Sequence, residues 1–250
     1  YLSGTGNTQH CVQKLVHLLD ENAMAIPIES SDAVNLLSQH DFIVLGYPVQ
    51  FSNIPVIVRD FIKNNSDLWK GKKVLCVATM GLFSGDGAGC SARLLKKYGA
   101  KVVGGVHILM PDAVCDSKML KKSLSENREI VKRADLKIEK YATEIKNGNF
   151  PKDGLHFYDR IAGCIGQRFW FQGKTKKYTD KLKINNNCIG CGLCVKSCPM
   201  QNITLLNNKA IASNRCTMCY RCISLCPKQA ITLLGKTVIE QSRYDKYISE

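Results

Sequence analysis

Residues Ser3–Thr8 read SGTGNT, within the opening stretch YLSGTGNTQH (Tyr1–His10). Two glycines stand here among hydroxyl and amide residues, and no lysine or arginine accompanies them. An amphipathic helical pattern follows at once, with apolar residues at Cys11, Val12 and Leu15. Backbone N–H groups and the helix dipole at such a helix start can hold a phosphate. The stretch therefore predicts a phosphate-binding turn that opens the first helix.

The residues around this turn narrow the kind of phosphate. A P-loop requires lysine after its second glycine, but Asn7 follows Gly6. A dinucleotide fingerprint requires a third glycine, and Gln9 stands there instead. A terminal phosphomonoester remains, with backbone amides and the side chains of Ser3, Thr5, Asn7 and Thr8 as donors. An ordinary strand-to-helix turn without a ligand is the alternative.

Strands and helices alternate in the residues that follow. Continuous apolar runs, typical of strands buried on both faces, occupy Ala23–Ile28, Asp41–Tyr47, Lys72–Met80 and Lys101–Met110. Helical patterns cover Thr8–Asp20, a segment from Pro55, Gly89–Tyr98 and Lys118–Asn147. We expect a first strand before the glycine turn, of which some residues are missing from this sequence. Five strands with helical crossovers predict a doubly wound, three-layer α/β domain.

The glycine turn resembles the phosphate loop of flavodoxin, which has a hydroxyl residue, any residue and then T-G-N-T. Ser3, Thr5, Gly6, Asn7 and Thr8 match it, and Gly4 takes the free position. The resemblance implies FMN as the cofactor and a five-stranded parallel sheet of order 2-1-3-4-5. It also implies that the ligand lies at the carboxyl ends of strands 1, 3 and 4.

Two further loops resemble those that clasp the flavin ring in flavodoxin-like proteins. The resemblance assigns ring contacts to Tyr47, Pro48, Val49, Phe51, Asn53, Thr79, Met80, Gly81 and Phe83. Among these, Tyr47, Phe51 and Phe83 are the candidate ring neighbours, because aromatic faces suit a flat conjugated ligand. The later loop departs from the acidic and aromatic pattern of short bacterial flavodoxins.

Cysteine usage points to bound metal. Eight of the thirteen cysteines lie between Cys188 and Cys226 at metal-ligand spacing. We see no secretion signal and no apolar run long enough to cross a bilayer, so we expect a cytoplasmic protein with reduced thiolates and no membrane span. The scattered cysteines are expected to be small buried hydrophobes; they are Cys11, Cys76, Cys90, Cys115 and Cys164.

The clustered cysteines form an internal repeat with an offset of 28 residues. CIGCGLCVKSCP (Cys188–Pro199) is matched by CTMCYRCISLCP (Cys216–Pro227), and both read C-x2-C-x2-C-x3-C-P. In this spacing the fourth cysteine ligates the other cluster. One predicted [4Fe-4S] ligand set is therefore Cys188, Cys191, Cys194 and Cys226, and the other is Cys216, Cys219, Cys222 and Cys198. Zinc is the competing interpretation, but it leaves the third cysteine and the C-P step without a role.

Residues 184–234 resemble the bacterial two-cluster ferredoxin, in which small residues such as Gly190 and Gly192 let amides approach the cluster sulfurs. The whole chain resembles the flavodoxin/ferredoxin fusion proteins of anaerobic bacteria and archaea. We expect a flavodoxin-like FMN domain over residues 1–147 and a connector with a short helix near Ile161–Phe169 over residues 148–183. A small α+β domain with two [4Fe-4S] clusters would follow over residues 184–250.

The fusion implies electron transfer between FMN, the clusters and a redox partner. We find no Ser/His/Asp set, paired carboxylates or open metal site, so no catalytic residue is assigned; a flavin-dependent reductase of a small substrate is the alternative. The formal net charge is +14, with excess lysine and arginine in Lys118–Lys146 and Arg168–Lys183. This positive charge would either attract an acidic partner or belong to an ordinary solvated surface. Nucleic-acid binding is supported by the charge alone. The oligomeric state stays open.

Overall fold

The computed structural model describes residues 1–163 and 180–248. Its first part is an α/β domain around a parallel sheet of β1 (Phe42–Pro48), β2 (Lys73–Met80) and β3 (Lys101–Leu109), in that order. Leu45, in the middle of β1, pairs with Cys76 of β2, and both residues are buried. Their apolar runs form strands here because helices cover both faces of the sheet.

Five helices accompany the sheet in three layers; they are α1 (Asn7–Leu19), α2 (Ala33–Gln39), α3 (Val56–Asn64), α4 (Gly87–Lys97) and α5 (Leu124–Lys146). One core packs α3 and α4 on the sheet, and a second core packs α1 and α5 on the other face. Helix α5 begins six residues later than Lys118, where the sequence predicts it. Ser123 and Glu126 form a capping box there, while Lys118–Leu120 is a short 3-10 turn.

The described part of this sheet contains three of the five predicted strands. The amide of Leu2 donates to the Gly46 carbonyl at 2.9 Å, and the amide of Ile28 donates to the Tyr1 carbonyl at 2.8 Å. The segment at Tyr1 therefore lies between β1 and Ile28, but these bonds are too few to form a ladder. Within Ala23–Ile28, Pro27 has no N–H to donate.

The connector begins with α6 (Phe157–Gly163). The predicted short helix near Ile161–Phe169 lies partly beyond it, and Cys164, Ile165, Phe169 and most of the basic stretch Arg168–Lys183 lie outside the described residues. Among the described residues, no helix combines the length and apolar character required to span a membrane.

The cysteine-rich part is a small α+β module. Strand β4 (Lys183–Ile184) pairs antiparallel with β7 (Ile231–Thr232), and β5 (Ile203–Leu206) forms a hairpin with β6 (Lys209–Ala212). Helices α7 (Leu193–Ser197) and α8 (Arg221–Leu225) are related by the offset of 28 residues. The sequence repeat is therefore also a repeat of local structure.

The last residues leave this module and return to the first domain. The Tyr244 amide donates to the Thr5 carbonyl at 2.9 Å, and its ring stacks on His10 with centroids 4.2 Å apart. Helix α9 (Asp245–Ile248) then places Tyr247 in the core that contains α1 and α5. The stretch expected to end the cluster domain thus completes the packing of the first domain.

Candidate cofactor sites

The glycine turn presents a row of backbone donors without acceptors. It ends at Gly6, which caps the N-terminus of α1 with a φ of +92°. Within the described part of the chain, no backbone N–H from Ser3 to Gln9 donates a hydrogen bond. The first N–H groups of any helix lack intrahelical partners, so this turn offers them at the positive end of the helix dipole.

Some side chains of the turn form hydrogen bonds within the described part of the chain, whereas that of Ser3 does not. Thr8 Oγ1 is 2.7 Å from Thr79 Oγ1, and Asn7 Nδ2 donates to the Pro111 carbonyl at 2.7 Å. The buried Ser3 Oγ has no hydrogen-bond partner among the described residues. Thr8 and Asn7 therefore fix the turn, while the Ser3 hydroxyl is left for a ligand.

These observations test whether the residues present fit the phosphate of FMN. Buried polar groups are nearly always hydrogen-bonded, and an orphaned hydroxyl beside unpaired amides marks a missing acceptor. A phosphate dianion accepts several such bonds and is favoured at a helix N-terminus. The residues of the turn therefore fit the phosphate of the cofactor that the resemblance implies.

The three predicted flavin loops lie next to one another. The Thr8–Thr79 contact joins the glycine turn to the end of β2, and the Val49 amide donates to the Thr79 carbonyl at 2.8 Å. Pro48 ends β1, while Thr79 and Met80 end β2. Gly81 lies against the Asp112 carboxylate, which a Cβ on this glycine would meet at 2.2 Å. Parallel strands bring their carboxyl ends to one edge, and these loops lie along it.

Of the predicted ring neighbours, Tyr47 does not direct its side chain toward the ring loops. Its side chain is fully buried under the sheet, and its hydroxyl donates to the Gly87 carbonyl at 2.9 Å and contacts Ser91 Oγ. A strand alternates its side chains between faces, and Tyr47 points into the core rather than toward the loops. Phe83 is 45% exposed and stays a candidate.

Phe51 lies in a tight turn between Gln50 and Asn53, whose amides and carbonyls pair reciprocally at 3.0 Å. Both central residues are left-handed, with φ of +49° at Phe51 and +56° at Ser52. Non-glycine residues rarely adopt this conformation, and functional sites collect such strain. The Phe51 side chain packs on the core of the cluster module, so this turn is also a domain contact.

The eight repeat cysteines line two pockets in the predicted sets. Cys188, Cys191, Cys194 and Cys226 surround one pocket, and Cys198, Cys216, Cys219 and Cys222 surround the other. In the described residues, no three His, Cys, Asp or Glu side chains converge closely enough to hold a single ion. A [4Fe-4S] cube spreads its ligands around its four irons, whereas zinc draws them to one point. Four cysteines line each pocket, which matches the ligand set of one [4Fe-4S] cluster.

Backbone amides point at the cysteine sulfurs in both halves of the repeat. Asn202 N donates to Cys198 Sγ at 3.3 Å, and Ala230 N, 28 residues later, donates to Cys226 Sγ at 3.3 Å. Positive φ angles also recur in pairs, at Gly190 and Met218, Gly192 and Tyr220, and Gln201 and Gln229. The backbone bends identically in each half, even where the second half lacks glycine. Such hydrogen bonds to sulfur tune the potential of a bound cluster.

The surroundings shift the pKa values of several thiols, and burial raises that of Cys194 in the first set. Amides of Ala210 and Gly190 lower the pKa of Cys188, whereas burial raises the pKa of Cys216 to about 12 and also raises that of Cys222. A buried thiol ionises readily only when a metal compensates its charge. The second set is the more enclosed one, because Cys191 of the first set is exposed and no cysteine of the second set is.

Sequence reasoning missed the residues that join the domains. The buried Asp116, which follows β3, accepts hydrogen bonds from the cluster module at both carboxylate oxygens. Arg221 and Gln50 also bond across the boundary. The repeat gave no distinct signal for Arg221, since Leu193 at the matching position is one of nine differences between residues 188–206 and 216–234.

Comparisons with known proteins find a family model that matches each of the two parts of the chain. Residues 1–111 match the family model of the flavodoxin domain, and residues 187–231 match that of the 4Fe-4S dicluster domain. No curated protein matches the chain.

Two solved flavodoxins also match. The two-electron reduced Megasphaera elsdenii flavodoxin is 27% identical, covers 45% of this chain and 85% of its own, and has a TM-score of 0.40. A flavodoxin from the domain Archaea is 16% identical, covers 57% and 95%, and has a TM-score of 0.38. The two family models imply FMN and iron-sulfur clusters as the cofactors. The chain thus joins a flavodoxin domain to a 4Fe-4S dicluster domain, as in a flavodoxin/ferredoxin fusion.

Proposed function

We propose that the protein carries electrons between one FMN, two [4Fe-4S] clusters and a separate redox partner. Both family models belong to electron-transfer modules. The observation that carries the proposal is the contact between the predicted flavin loops and the cysteine segment, where Gln50 donates to the Thr217 carbonyl at 2.7 Å. Cofactors held on two such neighbouring segments can exchange electrons without a diffusing intermediary.

For FMN, we assign the phosphate to the amides of the glycine turn and to the hydroxyls of Ser3 and Thr5. The ring would lie at the loops that end β1 and β2, with Phe51 and Phe83 as the nearest aromatic residues. The orphaned Ser3 hydroxyl and the adjoining loops support this assignment. When bound, FMN supplies a carrier of one or two electrons, and the protein supplies binding, orientation and distance.

For the clusters, we assign Cys188, Cys191, Cys194 and Cys226 to one and Cys198, Cys216, Cys219 and Cys222 to the other. The two pockets and the paired amide-to-sulfur bonds support both sets. Each cluster supplies a one-electron carrier. We also expect the complete sheet to have the order 2-1-3-4-5, supported by the bonds of Leu2 and Ile28.

The partner is proposed to be an acidic redox protein, because the chain has a formal net charge of +14. Opposite charge steers association between redox proteins. A cytoplasmic location follows from the need to keep eight thiolates reduced. A reductase that acts on its own small substrate remains a second candidate, because Leu82 and Phe83 are exposed at the rim of the ring loops.

The test is anaerobic purification, followed by assays of iron, sulfide and flavin per chain. We expect about eight irons, about eight sulfides and one FMN. Zinc without sulfide would reject the clusters, and a chain that neither retains nor rebinds FMN would reject the flavin site. Stopped-flow mixing of reduced protein with small acceptors and with an acidic ferredoxin would then separate the two candidates, since only the reductase turns over without a protein partner.

A further inference from the structure

The two halves of the cysteine repeat occupy different surroundings. The second half touches the predicted flavin loops directly: a Cβ on Gly4 would lie 1.7 Å from the Cys219 carbonyl oxygen, so the two backbones are in close contact. The Gln50 amide reaches the same segment and donates to the Thr217 and Met218 carbonyls at 2.7 and 3.2 Å. Both the phosphate turn and the ring-side turn therefore contact this cysteine segment.

Arg221 ties the second half to the phosphate turn. Its Nη2 and Nε atoms donate to the Ser3 carbonyl at 2.7 and 3.2 Å, and Nη1 donates to the Ser197 carbonyl at 3.1 Å. The same guanidinium pairs with Glu29 at 2.5 Å. A planar guanidinium that makes several hydrogen bonds fixes the position of its acceptors. Here it fixes Ser3, whose hydroxyl is a proposed phosphate donor.

The first half faces away from the flavin loops. Leu193 stands where the second half has Arg221, and it is 46% exposed. Cys191, the counterpart of Cys219, is exposed, and Ile189 is 53% exposed. The repeat is thus symmetric in its cysteines and asymmetric in what its loops contact.

We infer that the loop Cys216–Cys222 forms one wall of the FMN site. The cluster of Cys198, Cys216, Cys219 and Cys222 is then the flavin-side cluster, and the other cluster faces the partner; this rests on the proposed function. The cysteines of this loop would hold the cluster beside the flavin, so electrons would pass one at a time from the flavin to that cluster and on to the outward cluster. Two-electron oxidation of the neutral flavin hydroquinone would reduce each cluster once and release two protons to water.

FMN affinity tests the wall. Flavin-free, cluster-loaded full-length protein is titrated with FMN under anaerobic conditions, and quenching of flavin fluorescence gives Kd. Arg221→Leu restores the residue of the first half and keeps every cysteine; we expect it to raise Kd about tenfold, because charged hydrogen bonds that hold the turn are lost. Leu193→Ala, at the matching position, should leave Kd unchanged. Unchanged binding in Arg221→Leu would overturn the inference, and so would tighter binding, which would mean that the loop competes with flavin.

A second measurement identifies the cluster. Addition of FMN brings a phosphate dianion near one cluster and should lower the reduction potential of that cluster alone. A redox titration monitored by EPR measures the potential of each cluster. Cys219→Ser should abolish the shift, and its matched variant Cys191→Ser should keep it. The opposite pattern would overturn the inference. A wild-type chain without clusters or without flavin would instead reject the proposed function itself, so the two failures are distinguishable.

Discussion

The hydroxyl of Tyr220 donates a hydrogen bond of 2.9 Å to Oδ1 of Asp116, and both side chains are buried. Oδ2 of the same carboxylate accepts the amides of Leu233, Leu234 and Gly235 at 2.7, 2.9 and 3.0 Å. One side chain of the flavodoxin domain thus satisfies four donors of the cluster module. Such a network is strong when complete and costly when broken.

We expect Tyr220→Phe to cost about 1.5 to 3 kcal/mol, because it removes one hydrogen bond to a buried charge. Asp116→Ala should cost more, since the buried amide of Leu233 and the part-buried amides of Leu234 and Gly235 then lose their acceptor. Chemical unfolding of the cluster-loaded protein measures both values, with Tyr158→Phe at an exposed site as control. Equal stability of Asp116→Ala and the control would contradict this account of the domain boundary.

A second prediction concerns the fourth cysteine of each half of the repeat, which ligates the cluster of the other half. Cys226→Ser should disturb the same cluster as Cys191→Ser, although Cys226 lies in the other half of the sequence, because both line one pocket. Iron content would fall from about eight to about four in either variant, and the remaining EPR signal should be the same. If Cys226→Ser instead matches Cys219→Ser, the ligands do not cross.

Ser3→Ala separates ligand binding from folding. The Ser3 hydroxyl is buried without a partner among the described residues, so its loss should leave the stability of flavin-free protein unchanged or slightly higher. FMN affinity should fall about three- to tenfold, because one donor to the phosphate disappears. Thermal unfolding and FMN titration measure the two effects, and Ser38→Ala at an exposed site serves as control. Lower stability with unchanged affinity would refute the assignment.

Gly4→Ala should push the two domains apart, since its Cβ would meet a backbone carbonyl at 1.7 Å. We expect faster amide hydrogen exchange in residues 217–221, measured by mass spectrometry. Gly71→Ala is the control, because Gly71 has a φ of +81° but no atom within 4 Å. That control carries the conformational cost, about 1 kcal/mol, without any steric contact. Similar exchange in both variants would argue against close domain contact.

His107 predicts a pH effect on stability. Burial lowers its pKa below the usual 6.5, and its ring lies 2.8 Å from Ser84 Oγ; the charged groups that act on it are Asp86, Lys137, Asp153 and Asp159. Below about pH 6.5 His107 is protonated in the unfolded chain but not in the folded chain. The free energy of unfolding therefore decreases as the pH is lowered, by up to about 1.4 kcal/mol per pH unit. His107→Gln should flatten this decline in unfolding curves between about pH 7.5 and 5.5. An unchanged slope would show that His107 is protonated in the folded state.

Much of the site was predictable because its chemistry is local. SGTGNT determines which donors stand at a helix start, and the cysteine spacing determines which thiols can surround a cluster. The burial of Tyr47 was not predictable in the same way, because the face that a strand residue occupies depends on the register of the whole sheet. Its aromatic side chain fits a flavin and a hydrophobic core equally well.

The domain contacts were beyond sequence reasoning for a different reason. Asp116 and Tyr220 are 104 positions apart, and nothing in either local pattern requires them to meet. The predicted strand Ala23–Ile28 is not a regular strand in the described structure, and Pro27 lacks a donor, although the Ile28 amide still bonds to the Tyr1 carbonyl. Contacts between residues far apart in the sequence require the tertiary structure to be known, whereas short motifs can be recognised from the sequence alone.

The return of the tail, with Tyr244 on His10 and Tyr247 in the core of α1 and α5, changes the topological status of the cluster module. The module is an insertion near the end of the first domain rather than an extension attached to it. Exchange of this module by recombination would therefore need two crossover points, one before β4 and one after β7, as domain insertions do. A single cut in the connector would leave the first domain without the segment that closes its core.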